Sequence, residues 1–268
     1  MPFAGAHREF HDFTGFRSDG TDSDIVLSMS RSDYLVILCA MQGEANAIIE
    51  RLSLSPADTP WPASLPPRMW SGEVEGERVV LVTNGHDSKS GADLIGTTPA
   101  TLATSLIVEK LDPRMILIAG AAGGCSEATR VGHVYLIERA FHHDRRIPLP
   151  EFEEYAHGPE HLHANPHLAE AFDAQIATIS TGNALDTLDW ELSFFRENGI
   201  TVKDMETASI AWTANLSAVP VMALRSITDH YDHPAPESQF LSNFEHALRN
   251  LADSVANGLN HLLHEHRI

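Results

Sequence analysis

Three acidic residues, Glu44, Glu206 and Asp229, stand at the ends of apolar runs that read as buried strands. YLVILCA leads to Met41-Gln42-Gly43-Glu44, TVKD to Met205-Glu206, and VPVMALRSI to Thr228-Asp229. In an open α/β sheet ligands bind beyond the carboxyl ends of the strands, so acids placed there face a substrate. No Lys or Arg lies within four residues of Glu44, which removes a helical ion pair as its explanation. Glu206 opens METASIAWTANL, a segment apolar or small around most of its circumference. A buried acid there needs a partner that the neighbouring sequence does not supply. Each acid taken alone also fits a helix-start carboxylate held by the helix dipole. Three at one sheet edge fit glycosidic cleavage better: one acid activates water, one protonates the leaving group, and a third accepts hydrogen bonds from sugar hydroxyls.

The elements that must position these acids follow from the apolar periodicity. Strands are predicted at 34–40, 69–76, 78–83, 114–120, 133–141, 174–180, 201–204 and 219–227. Helices are predicted at 44–53, 92–110, 187–198, 205–217 and 238–264. The pair 69–76 and 78–83 joins at Gly76, and the Pro- and His-rich stretch 147–167 reads as a long loop. Strands apolar on both faces and alternating with helices imply a single α/β domain in three layers, α/β/α, around a central, twisted, largely parallel mixed sheet. Residues 1–32 are polar except for Phe10, Phe13 and Phe16, and read as a partly disordered N-terminal extension.

Composition narrows the partners. Eighteen Lys+Arg against 37 Asp+Glu give a net charge of −19, which repels nucleic acid and anionic lipid unless a basic stripe intervenes. The densest basic cluster is Arg145-Arg146. At 43% hydrophobic and 21% charged, the chain has the composition of an ordinary globular protein. Cys39 and Cys125 sit in apolar runs and read as free thiols in a reducing compartment. Nothing approaches the ~20 apolar residues of a membrane span, and the acidic N-terminus does not look like a signal peptide. The expectation is a cytoplasmic protein.

The strings CAMQGEA (39–45), STGNALD (180–186), VKDMETASIA (202–211) and LRSITD (224–229), in this order, resemble the methylthioadenosine/S-adenosylhomocysteine nucleosidases of the nucleoside phosphorylase superfamily. FHHDRRIPLPEFEEY (141–155) is similar to a stretch of the plant-type methylthioadenosine nucleosidases. The resemblance spans roughly residues 34–260 and implies a nucleoside phosphorylase-like catalytic domain over 33–268. It also implies a purine nucleosidase that needs no cofactor or metal and works as a homodimer, with the pocket completed by the partner's segment at about 147–155. By the same resemblance Glu44 activates water, Asp229 protonates adenine N7, and Glu206 accepts the ribose 2' and 3' hydroxyls. Met205 lies under the ribose, and Met41 lines the pocket. Leu185 lies beside the purine, where family members often carry an aromatic, and backbone groups at Asp186 read the purine edge. Thr228 and Arg225 belong to the segment that supports the acid.

The superfamily also contains phosphorylases, which resemblance places with arginines near the first strand end and before the central Gly-rich turn. Here those positions read AMQGEANA and LIAGAAGG, without Arg, and a carboxylate at position 44 repels phosphate and favours water. The Gly-rich AGAAGG (119–124) lacks the pattern of a dinucleotide or phosphate loop and reads as a tight strand exit. His86 stands where the plant type carries Arg. His157, His161, His163 and His167 read as solvated loop residues rather than metal ligands, and His142-His143-Asp144 as a turn network, since no GxSxG elbow accompanies it. The alternatives are a hydrolase of another nucleoside such as futalosine, adenosine or S-adenosylhomocysteine, a phosphorylase, and a noncatalytic storage or binding protein on the same fold.

Overall fold

The computed structural model describes residues 32–265; the aromatic triplet Phe10, Phe13 and Phe16 and the N-terminal extension expected over 1–32 lie outside them, apart from Ser32. The chain runs β1 (Ser32–Cys39), α1 (Gln42–Leu52), β2 (Ser55–Ala57), β3 (Arg68–Val74), β4 (Glu77–Thr83), α2 (Thr97–Leu111), β5 (Pro113–Gly124) and β6 (Val134–His142). It continues through α3 (Glu153–His157), β7 (Glu160–His161), α4 (Pro166–Ala171), β8 (Gln175–Thr181), α5 (Asp189–Asn198), β9 (Val202–Asp204), α6 (Thr207–Asn215), β10 (Val221–His230) and α7 (Pro236–Glu265).

All ten strands among the described residues join one mixed sheet. The pairings β4–β1, β1–β5, β5–β10, β6–β8 and β8–β9 are parallel. The β2–β3–β4 hairpin edge and the contacts β10–β6, β5–β9 and β6–β7 are antiparallel. Since β5 pairs with both β10 and β9, the strands β5, β10, β6, β8 and β9 close a ring. The sheet is therefore not the open one presumed from the sequence. The ring closes where Gly123 and Gly124 meet Lys203 and Val202; glycine at 124 also admits the turn that follows β5, since a Cβ there would sit 2.0 Å from Thr129 Oγ1.

The central strands are buried on both faces because their side chains alternate between two cores. Val36, Leu38, Val80, Val82, Ile116 and Ile118 pack with α2 and α6 on one side. Leu35, Ile37, Val79, Leu81, Met115 and Leu117 pack with α1 and α7 on the other. At the β3–β4 hairpin both Glu75 (φ 52°) and Gly76 (φ 79°) take the left-handed region, the backbone of a type I' turn.

Three further expectations need correction. AGAAGG is not a strand exit: β5 runs on to Gly124, paired with β10 throughout. α2 begins at Thr97 rather than near 92, because Gly96 (φ 98°) breaks the helix and Asn183 Oδ1 caps it by accepting the Thr97 N–H at 2.9 Å. The 147–167 stretch holds α3, β7 and α4. The last starts at Asn165, whose Oδ1 accepts the Leu168 N–H at 2.8 Å, with Pro166 in the first turn. Among the described residues no helix is long and apolar enough to cross a membrane.

Candidate active site

The ends of β1, β5, β9 and β10 surround a cavity of about 270 Å³, lined by Met41, Glu44, Leu185, Met205, Glu206, Thr228 and Asp229 among others. Two of the residues singled out from the sequence, Asp186 and Arg225, are not among its lining.

Glu44 is placed by the step from β1 to α1. Met41 is extended and α1 starts at Gln42, so Glu44 falls in the first helical turn. Its Oε2 accepts the Met41 N–H at 2.9 Å, as a helix-start carboxylate does. Its Oε1 accepts the Ala121 N–H of β5 at 2.7 Å, a cross-element bond that helix capping does not call for. Glycine at 120 is required by close approach: a Cβ there would lie 2.3 Å from Arg225 Nη1 and 2.6 Å from Glu44 Oε1. Burial raises the Glu44 pKa, opposed by the Arg225 charge and by hydrogen bonds from backbone N–H groups.

Glu206 sits at the N-cap of α6. Its Oε1 accepts the Gly96 N–H at 2.8 Å and its Oε2 lies 3.7 Å from Arg225 Nη2. The partners absent from its own segment thus come from the loop before α2 and from β10. Burial, reinforced by neighbouring Asp204, pushes its pKa up to about 7 against the pull of Arg225. Arg225 itself, 1% exposed, is held by Asp204 Oδ2 and by the Thr207 hydroxyl at 2.9 Å from Nη2. Asp204 Oδ1 accepts the Thr181 hydroxyl at 2.6 Å and Oδ2 the Thr207 N–H at 2.9 Å. The guanidinium is therefore engaged behind the cavity and reaches Glu206, not Asp229.

Asp229 belongs to β10, which runs on to His230 instead of ending at 227. The register with β5 shifts between Ile227 and Asp229, a bulge of the kind that re-aims a side chain. The Thr228 hydroxyl donates to Asp229 Oδ1 at 2.7 Å. Burial raises the pKa of Asp229, opposed first by that hydroxyl.

Sequence reasoning missed Lys203, which lines the cavity together with Ile95, Tyr231 and Phe240. Its signal was available, since a lysine inside a buried strand is rare unless paired. Its ammonium donates to the carbonyl of Asp186 and, at 3.0 Å, to Thr187 Oγ1. Nearby, His143 Nδ1 and the Ser180 hydroxyl are 2.9 Å apart, and Asp144 Oδ2 accepts the Asn183 N–H at 2.9 Å. His86 Nδ1 stands 3.2 Å from Asp93 Oδ1, away from the cavity lining. His157 Nδ1 lies 3.0 Å from the His142 carbonyl, while His167 faces His261. Among the described residues no three potential ligands gather around a metal position.

Carboxyl groups of raised pKa converging on one cavity are the arrangement that acid–base chemistry requires. The profile of the phosphorylase superfamily matches residues 34–260. A 5'-methylthioadenosine nucleosidase of Arabidopsis thaliana is 34% identical over 232 residues, covering 84% of this chain and 87% of the relative. A 5'-methylthioadenosine/S-adenosylhomocysteine nucleosidase of the same plant is 32% identical, covering 82% and 88%. The apo structure of Arabidopsis thaliana 5'-methylthioadenosine nucleosidase superposes with a TM-score of 0.81 at 32% identity, over 85% of this chain and 94% of that one. Fold, site and these likenesses agree: the chain belongs to the phosphorylase superfamily and, within it, to the methylthioadenosine nucleosidases.

Proposed function

We propose that the protein hydrolyses the N-glycosidic bond of 5'-methylthioadenosine, releasing adenine and 5-methylthioribose. The observation that carries this reading is the convergence of Glu44, Glu206 and Asp229, all at least 94% buried, on one cavity. Glu44, held by two N–H donors, takes the proton of the attacking water. Asp229, whose pKa burial raises, gives its proton to N7 so that adenine leaves neutral. Glu206 accepts hydrogen bonds from the ribose hydroxyls as positive charge develops on the ring. Met205 and Met41 line the sugar side, Leu185 the purine side, and the Asp186 backbone lies at the purine edge. Thr228 holds Asp229, and Arg225 balances Asp204 and Glu206.

Water is favoured over phosphate because both nearby cations are engaged, Arg225 with Asp204 and Lys203 with carbonyls and Glu191. A phosphate nucleophile needs free cationic donors. No metal or cofactor enters the scheme. A homodimer whose partner segment 147–155 closes the 5' side is supported by exposed Leu149, Phe152 and Tyr155 and predicts a solution mass near twice 29.4 kDa.

Adenine release from methylthioadenosine in phosphate-free buffer tests the function. Glu44→Gln and Asp229→Asn should each lose most of it. A wild-type protein that is inert there but active on futalosine, adenosine or S-adenosylhomocysteine in a substrate panel would replace the substrate and keep the chemistry.

A further inference from the structure

Lysine has a solvation demand that a buried strand does not meet, so an ammonium there must be fully occupied by acceptors. Lys203, in the middle of β9, is 5% exposed. Its Nζ donates to the carbonyls of Asp186 and, at 3.5 Å, Leu185, and to Thr187 Oγ1 at 3.0 Å. It also lies 3.6 Å from Glu191 Oε2. Apart from Glu191, these partners belong to the irregular segment between β8 and α5, where Leu185 is 52% exposed. Among the described residues no backbone–backbone hydrogen bond ties residues 184–187 to a neighbouring element. Its next residue, Leu188, is fastened by Glu191 Oε2, which accepts the Leu188 N–H at 2.8 Å. The ammonium and Glu191 therefore form one clasp on a loop that otherwise has little to hold its shape.

We propose that Lys203 is a positioning residue for purine recognition: its buried ammonium gathers the inward carbonyls of Leu185 and Asp186, fixes the loop that borders the purine, and sets a positive charge at that end of the cavity. This rests on the function proposed above. The consequence is twofold. The loop is presented in one conformation before substrate arrives, which lowers the ordering cost of binding. The charge also acts on Asp229, which is faced by Lys203 from β9, Glu237 from α7, and His230 and Thr228 on its own strand. Lys203 in turn is faced by Glu191 from α5, Asp186 from the loop and Asp229 from β10, and His143 adjoins Glu191 at 3.7 Å.

The experiment compares Lys203→Met, which keeps the stem and removes the charge, with Lys203→Arg. Lys203→Met should raise KM for methylthioadenosine about ten-fold or more, with a smaller fall in kcat, and weaken adenine binding by titration calorimetry to a similar degree. The basic limb of kcat/KM should move to higher pH, because loss of a nearby cation favours protonated Asp229. Lys203→Arg should restore the limb. A purely structural lysine would lower kcat and the melting temperature together and leave KM, adenine affinity and the limb in place; that result overturns the proposal. Thr187→Val, which removes one acceptor from a partly exposed site, should shift KM the same way if Lys203→Met does not fold, and an unchanged KM there overturns it. Should wild-type protein release no adenine, the proposed function fails, while adenine affinity still reads the Lys203 clasp.

Discussion

Gly120→Ala places one methyl group between the two charged groups on which the site is built. The added Cβ would stand 2.3 Å from Arg225 Nη1 and 2.6 Å from Glu44 Oε1, so one or both must retreat by about 1 Å to reach ordinary contact. Neither moves freely. Arg225 is fixed by Asp204 and Thr207, and Glu44 by the Met41 and Ala121 N–H groups. Overpacking of this kind costs about 1–3 kcal/mol. At roughly 2–4 °C per kcal/mol for a chain of this size, the melting temperature should fall by about 2–12 °C. In the proposed role of Glu44 as base, a displacement of about 1 Å should lose about 100-fold in kcat. KM should change less, because Leu185 and the purine-side loop are untouched. Melting curves and adenine-release kinetics on the purified variant read both effects. A Gly120→Ala protein with wild-type kcat and melting temperature would refute the placement of Glu44 against β5.

Three other perturbations follow from particular contacts. By the acid role proposed for Asp229, Asp229→Asn should cut kcat/KM by about 100- to 10,000-fold, with loss of the basic limb of the pH profile; a retained limb would assign the acid elsewhere. Asn183→Ala removes the acceptor that caps α2 at Thr97 and should cost about 1 kcal/mol. It should also raise KM, because Gly96, beside that cap, donates to Glu206; unchanged urea midpoint and KM would contradict it. His142 is buried and its pKa is lowered to about 4, chiefly by desolvation. Between that value and the unfolded value near 6.5 the unfolded chain binds more protons, so this residue's stabilisation is complete above about pH 6.5 and is lost as pH falls, by about 3 kcal/mol at pH 4. The raised acids Glu44, Glu206 and Asp229 act with the opposite sign. The readout is therefore the difference between wild type and His142→Asn in urea midpoints from pH 7 to pH 4.5, which should narrow toward acid; a constant difference would refute it.

What the sequence shows and hides has a physical basis. The strands of the two cores were legible because alternation between two apolar faces leaves continuous hydrophobic runs such as YLVILC and RMILIAG. Glu44 stood out because no Lys or Arg lies within four residues of it, although the Met41 N–H that holds it and the Thr228 hydroxyl that holds Asp229 are both local. What escaped was set by distance along the chain. Arg225 finds Asp204 21 residues away, and Glu206 finds Gly96 110 residues away. The closing of the ring through Gly123–Gly124 and β9 depends on strand pairing that periodicity cannot order. The late start of α2 turns on a cap from Asn183, 86 residues distant, while the start of α4 was locally readable from Asn165-Pro166 and was hidden only by the Pro- and His-rich composition around it.

In the proposed reaction water, activated by Glu44, takes the place that phosphate takes in a phosphorylase. Phosphorus NMR of a methylthioadenosine reaction run in phosphate buffer tests it most directly. Adenine and free methylthioribose should form, with no sugar 1-phosphate signal and the same rate when phosphate is left out. A growing sugar 1-phosphate resonance, with turnover that stops without phosphate, would contradict it.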